Sequence, residues 1–234
     1  MKPLLVLAAF PMVLMGWASC SHSGTGHAAL PDPRAVDKSV PEYKNPFHPS
    51  TYAHFVARKD YRKTYDVYKD DTLLNRQPKK SRKIFVCLDE QRGQYLVDGL
   101  VAMDFPLSSG VKAYPTKTGD YAVISKKEDH TSNLYGKMYD AEGKCINYNA
   151  ESTDPVPEGG RFDGSPMPYW QRLTNAGLGL HVGEVRRHPV SHGCVRLPRN
   201  VAEILYRQTS IGTPVTIRKT PLPVPEAQKV PAVQ

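Results

Sequence analysis

Leu180-His181-Val182-Gly183, then seven residues, then Ser191-His192-Gly193-Cys194-Val195-Arg196-Leu197, is the stretch on which the reading of this chain turns. Leu178–Val182 has the short apolar character of a buried strand, so His181 is expected on a strand near the end of a β core. Cys194, His181, His192 and Arg196 fall within sixteen positions. A thiol is a poor nucleophile and a thiolate a good one. An imidazole can take that proton near neutral pH, because the two groups ordinarily titrate within about two units of each other. Gly193 allows a tight turn before Cys194, and the amides of Gly193 and Cys194 could face a developing oxyanion. Arg196 carries a planar fork suited to a carboxylate. A single cysteine in a strand is usually core, and a single histidine is usually a hydrogen-bonding residue. The joint occurrence favours chemistry.

Working outward, Ile84-Phe85-Val86-Cys87-Leu88 reads as a buried strand. Tyr95-Leu96-Val97 and Leu100-Val101-Ala102-Met103 flank Asp98-Gly99, a strong short-range hairpin signal. Further strands are expected at Asp120–Lys126, Tyr135–Tyr139, Cys145–Asn149, Leu178–Val182 and Val215–Arg218, with Asp154–Pro168 as a Gly/Pro loop. One helix is expected after Asn200, with Asn200 as N-cap, Glu203 reaching back to it, and Val201, Ile204 and Leu205 as its apolar stripe. A further helix is expected around Tyr52–Tyr68. The reading is mainly β: a β-sandwich with a short C-terminal helix packed on it. Residues 82–219 form the one domain, 21–81 a tether and N-terminal extension, and 220–234 a Pro-rich tail.

Residues 1–20 read as a signal peptide, with Lys2 followed by an apolar run from Pro3 to Trp17 that is too short for a typical membrane span. Small residues before Cys20 resemble a lipobox, which would make Cys20 a lipidated first residue. Cleavage after Ala18 is the competing reading. Either way the protein is expected to be exported to the cell envelope or periplasm, and a lipid on Cys20 would tether it to a membrane. In an oxidising compartment Cys87 and Cys145 are free to pair, or to serve as small buried hydrophobes. The net charge of +8 favours polyanionic partners. No basic helix, aromatic–basic RNA motif or zinc-finger spacing accompanies it, so nucleic acid is not an expected partner.

The Ser191-His192-Gly193-Cys194 block with Arg196, and His181 upstream, resembles the L,D-transpeptidase (YkuD-like) catalytic domain of bacterial cell-wall enzymes. Phe105-Pro106-Leu107-Ser108-Ser109-Gly110 followed by Tyr114-Pro115-Thr116-Lys117-Thr118-Gly119-Asp120-Tyr121 is similar to a second segment of that family, and Gly212-Thr213-Pro214-Val215 to its closing strand. The resemblance covers about residues 82–219. It implies the β-sandwich of that family, Cys194 as nucleophile and His181 as base, with the imidazole oriented by a neighbouring backbone carbonyl. Ser191, His192, Gly193 and Arg196 would serve the oxyanion and position the substrate. It also implies transfer of a peptidoglycan stem tetrapeptide through a thioester, with peptidoglycan as partner and no metal or organic cofactor. Val182 departs from the Gly or Ser found after the histidine in many members. Pro166–Trp170 places Tyr169 and Trp170 as a candidate aromatic wall for the substrate.

Three rivals remain at this level. One is a hydrolase of the same fold, an L,D-carboxypeptidase or an enzyme cutting a protein–peptidoglycan link. Another is a zinc protein using His181, His188, His192 and Cys194, although structural zinc sites usually show two tight ligand pairs. The last is a wall-binding lipoprotein without catalysis.

Overall fold

The computed structural model describes residues 30–76 and 81–232. Residues 1–20, read above as a signal peptide ending at Cys20, lie outside the described residues. In chain order the elements are α1 (Tyr52–Ala57), β1 (Tyr68–Lys69), α2 (Asp71–Asn75), β2 (Arg82–Cys87), β3 (Arg92–Val97), β4 (Leu100–Pro106), β5 (Gly119–Ala122), β6 (Ser125–Lys127), β7 (Thr131–Tyr139), β8 (Cys145–Glu151), β9 (Arg161–Pro166), β10 (Trp170–Arg172), β11 (Gly179–Val182), β12 (Val195–Leu197), α3 (Arg199–Gln208) and β13 (Pro214–Arg218). They build a six-stranded sheet in the order β1-β4-β3-β2-β13-β5, a four-stranded sheet β12-β11-β10-β6 and a three-stranded sheet β8-β7-β9. The fold is mainly β, as expected.

The Asp98-Gly99 hairpin forms between β3 and β4, with φ of 51° and 79° at the two turn residues. Two successive positive φ values match the twist of the flanking strands, and glycine tolerates its share without strain. β2 pairs antiparallel with β3 on one side and parallel with β13 on the other. Ile84, Val86, Tyr95, Met103, Phe105, Val215 and Ile217 from this sheet join Leu180, Val195 and Leu197 from the four-stranded sheet, and Val201, Ala202 and Leu205 from α3, in the main core. α3 is therefore a helix with one buried stripe, as its sequence predicts.

Several expectations are corrected. The capping box at Asn200 does not form: α3 starts two residues earlier, Pro198 occupies the N-cap, and the amides of Val201 and Ala202 donate to the Pro198 carbonyl. Asn200 is then inside the first turn, where its side chain only meets the Val201 amide. The helix expected over Tyr52–Tyr68 ends at Ala57, because the chain turns at Asp60, whose carbonyl accepts from the Lys63 and Thr64 amides. The Asp154–Pro168 loop contains β9, which pairs antiparallel with β7. The described cysteines Cys87, Cys145 and Cys194 are free thiols, and Cys87 alone of them is fully buried.

The largest correction concerns the flanks. From Leu30 the segment expected as a tether is packed. Phe47, Tyr52, Phe55, Val56 and Tyr61 bury themselves against Val101 and Leu96, on the side of the six-stranded sheet that the main core leaves uncovered. The expected tail closes over the same region: Val224 is buried, Phe47 bridges to Pro231, and the Gln228 amide group exchanges two hydrogen bonds with the Val101 backbone, both 2.9 Å. Leu96 and Val101 face this second cluster while Tyr95, Val97 and Met103 face the main core, so β3 and β4 bury apolar side chains on both faces. Prolines signalled loops here, but loops can pack when their few backbone groups find partners.

The charged centre of this contact is Asp104, fully buried on β4. It pairs with the Arg92 guanidinium and accepts from the Tyr52 hydroxyl at 2.7 Å, the Tyr61 hydroxyl at 2.9 Å and the Gln94 amide at 2.9 Å. Removing one partner of a buried pair leaves the other charge stranded. Asp104→Asn is expected to destabilise the protein by about 3–5 kcal/mol, measured by urea unfolding. A loss below about 1 kcal/mol would show that the extension is not welded to the sheet through this carboxylate.

Candidate active site

Strand β11 carries His181, and β12 begins immediately after Cys194. The two strands pair in parallel, with Leu180 opposite Val195 and His181 opposite Arg196. Cys194 stands two residues before Arg196, so the pairing brings the thiol-bearing turn alongside the histidine strand. Both residues line one cleft of about 770 Å³, shared with Tyr135, Tyr148, Trp170, His192 and Arg196.

The turn before Cys194 is tied from several sides. Ser108 and Arg196 exchange backbone hydrogen bonds of 3.1 and 2.8 Å. The Val190 and Ser191 amides donate to the Ser109 carbonyl, and the Val111 amide to the Ser191 carbonyl. Thr116 accepts from the Gly110 amide at 2.8 Å and donates to the Gly193 carbonyl at 2.6 Å. This explains the Pro-Thr segment: its threonine pins the turn from the neighbouring loop. A Cβ at Gly110 would lie 2.1 Å from the Tyr114 carbonyl oxygen and 2.8 Å from the Gly193 Cα, so only glycine lets the two loops approach this closely. Gly193 itself has φ of +111°, as a turn glycine requires.

Ser191 locks the turn from inside. Its hydroxyl donates to the Cys194 carbonyl at 2.5 Å and accepts from the Gly193 amide at 3.2 Å. The Gly193 amide is thus engaged by Ser191, a correction to the expectation that it faces an oxyanion. His192 is exposed and stacks on Tyr135 (ring centroids 4.6 Å apart) and against Tyr114 (4.7 Å). Arg196 is half-buried and packs on Gly183, where a Cβ would come within 2.8 Å of its Cγ and Cδ. Trp170 is buried beside His181, with ring centroids 5.9 Å apart, and lines the cleft. Tyr169 does not. Its φ of +55° turns it toward α3, where it meets Tyr206 and Arg199. The expected aromatic wall is Trp170 without Tyr169. Tyr114, Tyr135, Tyr148 and His130, which the sequence did not single out, supply the other rings in or beside it. His181, His188, His192 and Cys194 do not gather: His188 is exposed beside the Pro189 carbonyl, and among the described residues no three His, Cys, Asp or Glu side chains converge as metal ligands do.

The imidazole of His181 is buried, and its Nδ1 lies 2.8 Å from the Val182 carbonyl oxygen. A carbonyl only accepts, so Nδ1 carries the proton and Nε2 is the basic nitrogen. Val182 fills this role as any residue would, since the carbonyl belongs to the backbone. Burial is the main cause that lowers the His181 pKa to about 4. Burial likewise pushes the Cys194 thiol up, opposed by the Gly179 amide and the Arg196 charge. The thiol donates to the Gly177 carbonyl at 3.3 Å. The two groups are thus driven apart in titration rather than held within two units, and at neutral pH both rest uncharged.

With fold and site in view, the chain belongs to the family of L,D-transpeptidase catalytic domains, whose model matches residues 81–217. The probable L,D-transpeptidase 3 of Mycobacterium tuberculosis is 31% identical over 121 residues, which is 49% of this chain and 38% of that protein. The chain therefore matches well under half the length of this relative. Among solved structures, the catalytic domain of the E. faecium L,D-transpeptidase is 28% identical, with 61% of this chain and 100% of that one covered and a TM-score of 0.43. An L,D-transpeptidase from Mycobacterium smegmatis is 21% identical, with 58% of each chain covered and a TM-score of 0.45.

The buried neutral imidazole has a thermodynamic consequence. As pH falls below 6.5 the unfolded chain takes up a proton that folded His181 refuses down to about pH 4. Stability contributed by this group is present above pH 6.5 and is lost between pH 6.5 and 4, by ~3 kcal/mol. His181→Gln should remove that part of the acid slope. The check is urea unfolding at pH 7, 5.5 and 4 in both proteins. Parallel curves for the two would contradict a buried neutral His181.

Proposed function

We propose that this protein is an L,D-transpeptidase acting on peptidoglycan stem tetrapeptides, with Cys194 as nucleophile and His181 as general base. The observation that carries the reading is the Nδ1–H of His181 donating to the Val182 carbonyl, on a strand paired with the one that follows Cys194. This gives a buried imidazole of one tautomer, with a basic Nε2, lining the same cleft as the thiol.

The reaction proceeds in two acyl transfers. Nε2 takes the thiol proton as sulfur attacks the carbonyl carbon of the bond between the L-centre and the terminal D-alanine. The C–N bond breaks, the proton passes from the imidazole to the leaving amine, and D-alanine departs, leaving a thioester on Cys194. An acceptor amine then gives up a proton to His181 and attacks the thioester carbonyl. The new amide forms and the thiol is restored. Because both groups rest neutral, His181 acts in the transition state rather than by storing a thiolate. The Cys194 amide supports the oxyanion, Arg196 holds a carboxylate of the substrate, and His192 with Tyr135 and Trp170 lines the binding surface. Gly193 and Ser191 shape the turn that presents the thiol. The net charge of +8 suits an anionic wall, and export with a lipid on Cys20 would bring the enzyme to it.

Intact-mass measurement after incubation with a tetrapeptide stem or a carbapenem tests the nucleophile. The wild-type chain should gain the acyl mass, and Cys194→Ser should gain none while keeping its circular dichroism. An acylated Cys194→Ser would sink the assignment. His181→Gln should lower the acylation rate ~10²–10⁴-fold, whereas His192→Ala should chiefly weaken substrate binding. If His192→Ala proved the more damaging to the acylation step, the roles would be reversed.

The pH profile is a separate check. A base with a pKa of about 4 keeps its lone pair well into the acid range. The acid limb of the acylation rate should therefore fall near pH 4 and not near the ordinary histidine value. A limb centred at 6–7 would show that His181 is not the base in this buried state.

A further inference from the structure

Residues 183–194 connect β11 to β12, and Arg187 lies near the middle of this crossover with φ of +55°. A non-glycine side chain in that conformation persists only where its surroundings hold it. What holds it here is not local. Arg187 donates from Nη1 to the Thr64 carbonyl at 2.8 Å and from Nη2 to the Glu90 carbonyl at 3.0 Å. Glu90 lies in the turn between β2 and β3. Thr64 belongs to the N-terminal extension, which precedes the 81–217 family match.

The receiving end is rigid for identifiable reasons. The Thr64 carbonyl is shared with Arg92, whose Nη1 reaches it at 3.1 Å, while Arg92 Nη2 donates to the Asp66 carbonyl at 2.9 Å. Arg92 is itself paired with Asp104, which Tyr52 and Tyr61 of the extension also bind. Glu90 is held by Arg34 of the extension at 2.7 Å. Two guanidinium groups therefore converge on one carbonyl oxygen of the extension, one from the core sheet and one from the crossover.

We propose that Arg187 is a positioning residue, through which the N-terminal extension clamps the crossover and so sets where Cys194 stands relative to His181. The proposal rests on the reading of Cys194 as nucleophile. On either side of Arg187 the crossover is held by the Arg186 amide donating to the Ser108 hydroxyl at 2.8 Å, and by the Val190 and Ser191 amides donating to the Ser109 carbonyl. Releasing Arg187 lets it leave the left-handed region, and the rotation is transmitted along the chain toward the Ser191–Cys194 turn. A displacement near 1 Å at a reacting atom is enough to cost about 10²-fold in rate.

The test uses the full chain with Arg187→Met, which keeps the length of the stem and removes both donors, and with Arg187→Lys, whose single head group cannot span both carbonyls. Hydrogen exchange of the Arg186, Val190 and Ser191 amides should quicken by at least about tenfold in Arg187→Met, with β2, β3 and β13 amides unchanged. The acylation rate constant by a carbapenem, expressed per titratable thiol, should fall about 10- to 100-fold, with Arg187→Lys intermediate and the acid limb of the pH profile unmoved. Tyr61→Phe, which removes a hydroxyl that binds Asp104 and makes no hydrogen bond to the crossover, should raise exchange at the same three amides to a smaller degree. Unchanged exchange at those amides, or an acylation rate per thiol within twofold of wild type, would overturn the clamp. Loss of protection spread evenly over all strands would also overturn it, as a structural role only. If the wild-type chain itself takes no acyl group on Cys194, the nucleophile reading fails, and the exchange measurement still decides whether the clamp exists.

Discussion

The parallel pairing of β11 with β12 is the constraint on which the site depends. Parallel neighbours cannot be joined by a tight turn; the chain must cross over and return in the same direction, usually through a dozen or more residues and a helix. Here the crossover is residues 183–194, near the minimum length, and it contains no helix. Such a connection has few internal hydrogen bonds and must be tied to something else. Ser108, Ser109, Gly110 and Thr116 supply those ties from one side, and Thr64 and Glu90 from another. The result places Cys194 at the end of an extended, well-anchored segment, beside a strand that carries a histidine.

Burial then sets the chemistry. A thiol and an imidazole exposed to water would titrate close together and share a proton near neutrality. Enclosed between β sheets, each loses the solvent that stabilises its charged form, so the thiol pKa rises and the imidazole pKa falls. The pair has a well-defined resting state in which the proton stays on sulfur. The single hydrogen bond to the Val182 carbonyl chooses the tautomer without contributing a charge that would hold a proton on Nε2.

The flanking segments pack on the family domain and hydrogen-bond to it. Asp104 sits on a core strand and is satisfied by two tyrosines of the extension together with Arg92 and Gln94 of β3, and Arg92 links it to the carbonyl that Arg187 also uses. The extension is thereby part of the folded unit and not a spacer. Gln228 of the C-terminal segment completes the Val101 backbone in the manner of an added strand. Both flanks cover apolar surface on the six-stranded sheet, around Leu96 and Val101.

Much of this was legible in the chain. The Asp98-Gly99 hairpin, the run from Ile84 to Cys87, the stripe of α3 and the Ser191–Cys194 block with His181 are local patterns, because turn chemistry, periodicity and short motifs are written within a few residues. The resemblance of that block located the family domain, and the backbone carbonyl after His181 could be expected to orient it whatever residue stood there. What the sequence left open was decided by contacts distant along the chain. Tyr169 and Trp170 are adjacent, yet one faces α3 and the other the cleft. Tyr135 and Tyr148 meet the site only because a three-stranded sheet folds back over it. A proline-rich, charged N-terminus reads as a tether until the buried Asp104 is seen to draw its tyrosines in. Local sequence specifies which backbone conformations are cheap; which polar groups are buried together, and hence which charges shift and which loops are held, depends on partners that only the assembled tertiary structure brings within hydrogen-bonding distance.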